Sequence, residues 1–297
     1  MNLIKPKKIE KGATISIIAP SGCIDFEKVL NAKKYFENKG FKVKLGENIQ
    51  KKYRYMAGTD EERLSDIHNA FFDKDVDAII CARGGYGAIR LLDKIDYDLI
   101  KNNPKIFCGY SDISALSAMI FKKTGLITFS GPMAKSDFQI DNICEFTEKE
   151  FWKTLASNHI KILPKDIQYF GNIKEADGLL IGGNLATIAS MCGLDFIPDD
   201  KFVFFAEDLN EPVYKIDKYF SQLLNIGKFK QNLAGIILGD FLDIEDNEPL
   251  NQLFEEIATK LNILIIGNYP ITHAKEKITV PYGGIAKIIN GIIEVDY

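Results

Sequence analysis

The sequence predicts an α/β protein of two domains, each a sheet flanked by helices. Two observations carry that expectation. Along the first half, short apolar runs alternate with amphipathic stretches at the spacing of strand–helix–strand units, which call for a parallel sheet. The alternation then fades past Trp152 and resumes near Gly178, as it does where one domain gives way to another. A length of 297 residues fits two ordinary domains or one large one.

Residues 14–19 form a buried strand that ends in Pro20-Ser21-Gly22. From residue 26 to 38, Val29, Leu30, Ala32, Tyr35 and Phe36 recur at helical spacing, and Gly40 follows where a helix stops. Residues 42–45 are a second strand. Thr59-Asp60-Glu61-Glu62 has the form of a capping box opening a helix through Phe72. Ala78-Ile79-Ile80-Cys81 is a third strand, followed by Arg83-Gly84-Gly85-Tyr86-Gly87. Ile106-Phe107-Cys108 is a fourth, and a helix over about 113–123 follows at once. The stretch 158–172, with Pro164 and Gly171, reads as a linker. Beyond it come a strand at 178–181, a glycine turn, a helix to Cys192 and a strand at 202–206. A helix over 213–224, a strand at 235–238, a helix over 250–261 and a strand at 264–266 follow, with short strands near Thr279 and over 285–295. The expected division is a nucleophile domain over 1–160, a linker over 161–175 and a smaller C-terminal α/β domain over 176–297, with the boundary near residue 165.

Composition removes several classes of function. Hydrophobic residues make up 46% and charged residues 26%, as in an ordinary globular protein and unlike a disordered or fibrous one. The net charge is −4 and no basic stripe appears, which argues against nucleic acid as a partner. The longest apolar runs, such as Ile263-Leu264-Ile265-Ile266, fall far short of the roughly 20 residues of a membrane-spanning helix. The first residues have no apolar stretch, so no signal peptide is expected. Five cysteines without a Cys-x-x-Cys pair, and only three histidines, show no metal-ligand spacing. The expectation is a reduced, cytoplasmic protein without metal or cofactor.

Ligands of open α/β sheets bind beyond the carboxyl ends of the strands, and three such places carry chemistry. In Gly109-Tyr110-Ser111-Asp112-Ile113 a strand passes almost directly into a helix. A serine on that turn is pushed out of the sheet like the nucleophile of an elbow, and the N–H of Asp112 is aimed at a developing oxyanion. Isoleucine stands at 113 where the elbow motif has glycine, and the plainer alternative is that Ser111 or Asp112 caps the helix. The Arg83 loop, with three glycines in four positions, lets backbone approach a ligand and offers a second oxyanion donor at Gly84 or Gly85. It matches neither phosphate-loop motif, and a purely structural turn stays open. A serine needs a base to take its proton. His273 sits in a loop after the strand at 264–266, whereas His68 lies within a helix and His159 in the linker. The strand at 202–206 ends in Glu207-Asp208, so either carboxylate could hold the histidine's tautomer.

These residues resemble the LD-carboxypeptidases, the serine peptidases of the muramoyltetrapeptide carboxypeptidase and microcin-immunity type. The resemblance spans nearly the whole chain. It rests on Ile17-Ile18-Ala19-Pro20-Ser21-Gly22, on Arg83-Gly84-Gly85-Tyr86-Gly87 running on to Asp93, and on Gly109-Tyr110-Ser111-Asp112. Gly131-Pro132-Met133, Gly182-Gly183-Asn184-Leu185, Glu207-Asp208 with Glu211-Pro212, and His273 with Pro281-Tyr282-Gly283 continue it in the family's order. The resemblance implies a triad of Ser111, Glu207 and His273. It further implies oxyanion donors at the N–H of Asp112 and of Gly85; Arg83, Gly84 and Tyr86 of the glycine loop are the candidate substrate contacts. It implies a nucleophile on the N-terminal domain, with acid and base reaching it from the C-terminal one, and a homodimer. Thr272 replaces the family's usual glycine, Phe129-Ser130 a frequent Thr-His, and Ala13 a frequent aspartate. These departures bear on the substrate pocket and leave the triad complete.

The expected reaction is release of a terminal D-amino acid, D-alanine, from a murein tetrapeptide by cleavage of an L,D amide, as in peptidoglycan recycling. One alternative keeps the chemistry and changes the substrate to a peptidyl- or aminoacyl-nucleotide amide, the microcin-immunity reaction. Another dispenses with catalysis and makes the chain an α/β ligand-binding module with Ser111 only a helix cap. Arg83 has two competing roles: holding the substrate's free carboxylate, or bracing the glycine loop.

Overall fold

A computed structural model describes residues 2–164 and 166–297. The chain divides into two compact units. One holds Asn2–Asn158 and Ile278–Tyr282, the other His159–Lys277 and Gly283–Tyr297. The boundary expected near residue 165 falls on Lys165, outside the described residues.

The first unit is built on five parallel strands, β1 (Thr14–Ile18), β2 (Lys42–Leu45), β3 (Ala78–Cys81), β4 (Ile106–Cys108) and β5 (Thr128–Ser130), in the spatial order β5-β4-β3-β1-β2. A parallel strand is covered on both faces, and β1, β3 and β4 are accordingly apolar and buried along their length, Thr14 and Ser16 excepted in polarity. At the sheet's edge β2 alternates Lys, Val, Lys, Leu between exposed and half-buried positions. Helix α1 (Phe26–Asn38) buries Val29, Ala32, Tyr35 and Phe36, the helically spaced set. Helix α2 (Asp60–Phe72) opens with the full capping box, the Thr59 hydroxyl and the Glu62 carboxylate each accepting the other's backbone N–H. A short α3 (Tyr97–Asn102) precedes β4, and α4 (Ile113–Thr124), buried almost throughout, ends at Gly125 in the left-handed conformation. After β5 come α5 (Ala134–Asp137) and α6 (Glu145–Leu155). The tryptophan of α6 is structural: Trp152 stacks on Phe41 and its indole N–H donates to the Tyr35 hydroxyl at 3.0 Å.

The second unit carries an eight-stranded mixed sheet. Its strands are β6 (His159–Ile162), β7 (Gln168–Phe170), β8 (Glu175–Asn184), β9 (Phe202–Leu209), β10 (Leu233–Leu242) and β11 (Leu264–Gly267), joined later by two more. The run β8-β9-β10-β11 is parallel, with α7 (Leu185–Ser190), α8 (Val213–Leu224), α9 (Gly227–Asn232) and α10 (Glu248–Leu261) in its connections. The chain then leaves this sheet. β12 (Val280–Tyr282) pairs antiparallel with β5 as a sixth strand of the first unit. β13 (Ile285–Ile289) and β14 (Ile292–Asp296) return as an antiparallel hairpin beside β8.

Several elements differ from expectation. The segment 161–175 is no free linker: it holds the end of β6 and all of β7, which form the two opposite edges of the eight-stranded sheet. No glycine turn interrupts β8, which runs through Gly182 and Gly183 to Asn184. The reason is close approach. Gly182 has φ +149°, and a Cβ there would lie 1.8 Å from the Phe205 carbonyl oxygen of β9. Strand β5 and helices α3, α5 and α9 lie outside the expected set.

Candidate active site

Ser111 stands between β4 and α4 with φ +62°, in the left-handed region that serine seldom occupies. A turn that must pass from strand to helix in four residues forces this conformation and thrusts the side chain outward. Ile113, where an elbow ordinarily has its second glycine, is buried and folds back over Gly109: a Cβ on Gly109 would meet Ile113 Cγ2 at 2.9 Å. The close approach therefore consumes the glycine before the serine. No side chain caps α4. The Asp112 carboxylate instead accepts from the Ser21 hydroxyl at 2.5 Å and from the Ala88 N–H at 2.9 Å. It thereby ties the loops after β1 and β3 to the elbow, and burial pushes its carboxyl up against those two bonds.

The glycine loop lies directly against the serine. A Cβ on Gly84 would sit 2.8 Å from Ser111 Cβ, 2.9 Å from its Oγ and 3.2 Å from the Asp112 nitrogen, so only glycine fits. The Gly84 carbonyl points away, accepting from the Gly22 N–H at 3.1 Å and from Arg83 Nε at 3.1 Å. In a trans peptide the next N–H points opposite to that carbonyl, so the Gly85 N–H is directed away from Gly22. Among the described residues neither it nor the Asp112 N–H has a hydrogen-bond acceptor. Arg83 braces this loop, with Nη1 donating to the Cys23 carbonyl at 3.0 Å. Tyr86 is exposed and meets Tyr55 edge to face.

Beneath these loops lies a residue that sequence reasoning passed over. Arg63 is wholly buried, donating through Nη1 to the carbonyls of Pro20 (2.7 Å) and Gly87 (2.8 Å), and through Nη2 to Asp60 (2.6 Å). Arg90 also reaches Asp60 and is the chief reason that carboxyl is held down to about 2. The signal was present: Asp60, Arg63, Ile67 and Ala70 share the buried stripe of α2 at helical spacing.

In the second unit, β9 delivers Glu207 and the loop after β11 delivers His273, with His273 Nδ1 2.6 Å from Glu207 Oε2. A carboxylate only accepts, so Nδ1 carries the hydrogen and Nε2 is left as the basic nitrogen. Burial pushes the Glu207 carboxyl up, while the bond to His273 and its charge pull it down. Asp208 is engaged elsewhere, accepting from Asn184 Nδ2, the Ala186 N–H and the Leu209 N–H. A cleft of about 450 Å³ opens beside the histidine loop, lined by Asp240, Asn268, Tyr269, Ala274 and Lys275. The other two histidines have local partners. His68 Nε2 accepts the Asp96 N–H at the start of α3, and His159 pairs with Asp296 across β6 and β14.

A family model of the LD-carboxypeptidase N-terminal domain matches residues 15–131, and one of the C-terminal domain matches residues 177–288. The chain belongs to the LD-carboxypeptidase family. As an LD-carboxypeptidase it is a serine-type peptidase, which removes the alternative of a non-enzymatic binding module. It is 36% identical to a probable murein peptide carboxypeptidase of Bacillus subtilis, over 95% of this chain and 90% of the relative. It is 30% identical to the microcin C7 self-immunity protein MccF of Escherichia coli, over 84% and 81%. The crystal structure of a muramoyltetrapeptide carboxypeptidase from Oxalobacter formigenes superposes with a TM-score of 0.85 at 30% identity, covering 96% of this chain and 98% of that one. Within the LD-carboxypeptidase fold the structure joins Glu207 to His273, and sets Gly84 against Ser111 in the other unit. Among the described residues no helix is long and apolar enough to cross a membrane, and no cluster could hold a metal ion.

Proposed function

We propose that this LD-carboxypeptidase releases the terminal D-alanine of murein tetrapeptide, with Ser111, Glu207 and His273 as its triad. The observation that carries the chemistry is Ser111 itself, held at φ +62° with a glycine loop pressed against its hydroxyl. The likeness to murein peptide and muramoyltetrapeptide carboxypeptidases carries the substrate. His273 Nε2 takes the Ser111 proton as Oγ attacks the carbonyl of the L,D amide. The N–H groups of Asp112 and Gly85 receive the oxyanion, each such donor lowering the barrier by roughly 3 kcal/mol. The imidazolium, steadied by Glu207, returns the proton to the departing D-alanine amine. The resulting acyl-enzyme is cleaved by a water that His273 activates in turn.

Mass spectrometry of wild type and Ser111→Ala with murein tetrapeptide tests this reading. Loss of one D-alanine with wild type alone is expected; turnover by the variant would overturn the nucleophile. The likeness to MccF favours a second substrate, a peptidyl- or aminoacyl-nucleotide amide, on the same machinery. The protein would then leave the tetrapeptide intact and cleave the nucleotide amide. We also propose that the enzyme acts as a cytoplasmic homodimer, as the family resemblance implies; light scattering after size-exclusion chromatography gives the oligomeric state.

A further inference from the structure

A carboxypeptidase has to hold a free carboxylate next to its nucleophile, and a cation is the natural holder. Arg83 is largely spent. Its Nε and Nη1 brace the carbonyls of Gly84 and Cys23, which leaves only Nη2 without a described bond. A second cation stands close by. Lys135 follows β5, the neighbour of β4, and its backbone N–H donates to the Ala82 carbonyl at 2.8 Å. The segment after β5 therefore crosses the carboxyl end of β4 and reaches the residue preceding Arg83.

That segment is fixed in place. The Asp137 carboxylate accepts from the Met133 N–H at 2.8 Å and from the Ser136 hydroxyl at 2.7 Å. The hydroxyl of Tyr110, the residue before the serine, lies 3.4 Å from Ser136 Oγ. Lys135 is half-buried, and no carboxylate lies within ion-pair distance of it among the described residues. Burial pulls its ammonium below the usual lysine range, and the neighbouring charges of Arg83 and Lys28 add to that, with Asp25 opposing. Surplus positive charge on a short helix held against the loop that carries Arg83, in the same unit as the half-buried serine, is an anion's place.

We infer that Lys135, with the spare Nη2 of Arg83, binds the terminal α-carboxylate of the residue to be released. The inference rests on the carboxypeptidase reading above. Lys135 would thus be what restricts this enzyme to the last bond of a peptide.

The test compares murein tetrapeptide with its C-terminal amide, for wild type, Lys135→Met and Lys135→Arg, with folding checked by thermal melting. Wild type should prefer the acid. Lys135→Met should raise KM for the acid about ten- to a hundredfold, the range of one charge-assisted hydrogen bond, with kcat little changed. Its kinetics on the amide should match wild type, and Lys135→Arg should restore most of the preference. An acid preference unaltered in Lys135→Met, or an equal loss on both peptides, would overturn the assignment. Calorimetric binding of the same two peptides to Ser111→Ala and to Ser111→Ala/Lys135→Met separates this inference from the reading beneath it. Acid-selective binding that needs Lys135, in a protein whose wild type cleaves neither peptide, keeps the carboxylate site and discards the reaction. Absence of acid-selective binding discards the site whatever the turnover.

Discussion

Ser111 holds a left-handed backbone that only glycine adopts without cost, so the nucleophile is set in place at the expense of stability. Removing the hydroxyl alone leaves that cost; removing Cβ relieves it. Ser111→Gly should therefore be more stable than Ser111→Ala by about 1 kcal/mol, both with turnover down by roughly 10⁴-fold or more. Thermal melts of the two variants decide it, and equal midpoints would remove the strain from the account. Glu207 supplies a second contrast. Burial pushes its carboxyl up, so the folded chain binds that proton more tightly than the unfolded chain. Its contribution to stability is complete below the ordinary glutamate range and is lost as pH climbs through the raised folded value. Glu207→Gln cannot ionise and escapes that loss. Its melting temperature should gain on wild type between pH 4 and pH 8, while its turnover falls roughly 10³- to 10⁴-fold from the misplaced tautomer. A difference in melting temperature that stays flat with pH would count against the buried charge. At this scale the sequence disclosed residues that sit at strand ends, Ser111, Glu207 and His273 among them. It did not disclose what a side chain does across a long separation. Nothing local marks that the Asp112 carboxylate reaches back 91 residues to Ser21, or that Arg63 secures two loops from within a helix.

The strand ends owe their usefulness to elements that approach more closely than side chains permit. Gly84→Ala would set a methyl 2.9 Å from Ser111 Oγ, displacing the glycine loop from the elbow. Activity should fall roughly a hundredfold or more with only a modest loss of melting temperature, since the loop lies outside the sheet. Gly182→Ala is the opposite case. Its methyl would overlap the Phe205 carbonyl in the middle of the second sheet, so a loss of about 4 kcal/mol or an insoluble product is expected. Denaturant melts beside activity assays separate the two outcomes, and a stable Gly182→Ala would show that β8 can shift. Most elements were legible because parallel strands advertise themselves as wholly apolar runs and helices by their caps, as at Thr59 and Gly125. The edges were not. β6 and β7 are short, lie on either side of Pro164, and gain their identity only from partners more than ninety residues onward, β14 and β11. Local pattern cannot announce such pairings.

For the whole molecule the same long-range pairing decides how the chain can be divided. A fragment ending at Asn158 contains every element of the first unit except β12, and leaves the apolar face and backbone of β5 without their partner. Such a fragment should be markedly less soluble and less stable than the unit within the full chain. A peptide spanning 278–282, joined to it by a short flexible linker, should recover part of the loss. Equal melting of the bare and extended fragments would mean that β12 contributes little.

The placement of β12 also orders events during synthesis. The first unit waits for Val280–Tyr282 and the second for the hairpin that directly follows, so one short stretch, residues 280–296, supplies one strand to the first sheet and two to the second. A chain that stops between residues 268 and 279 has both sheets open, at β5 and at β8, and neither half finished. One short stretch of chain thus closes both sheets at once, and a copy cut off before it is two unfinished halves rather than a half-working hydrolase.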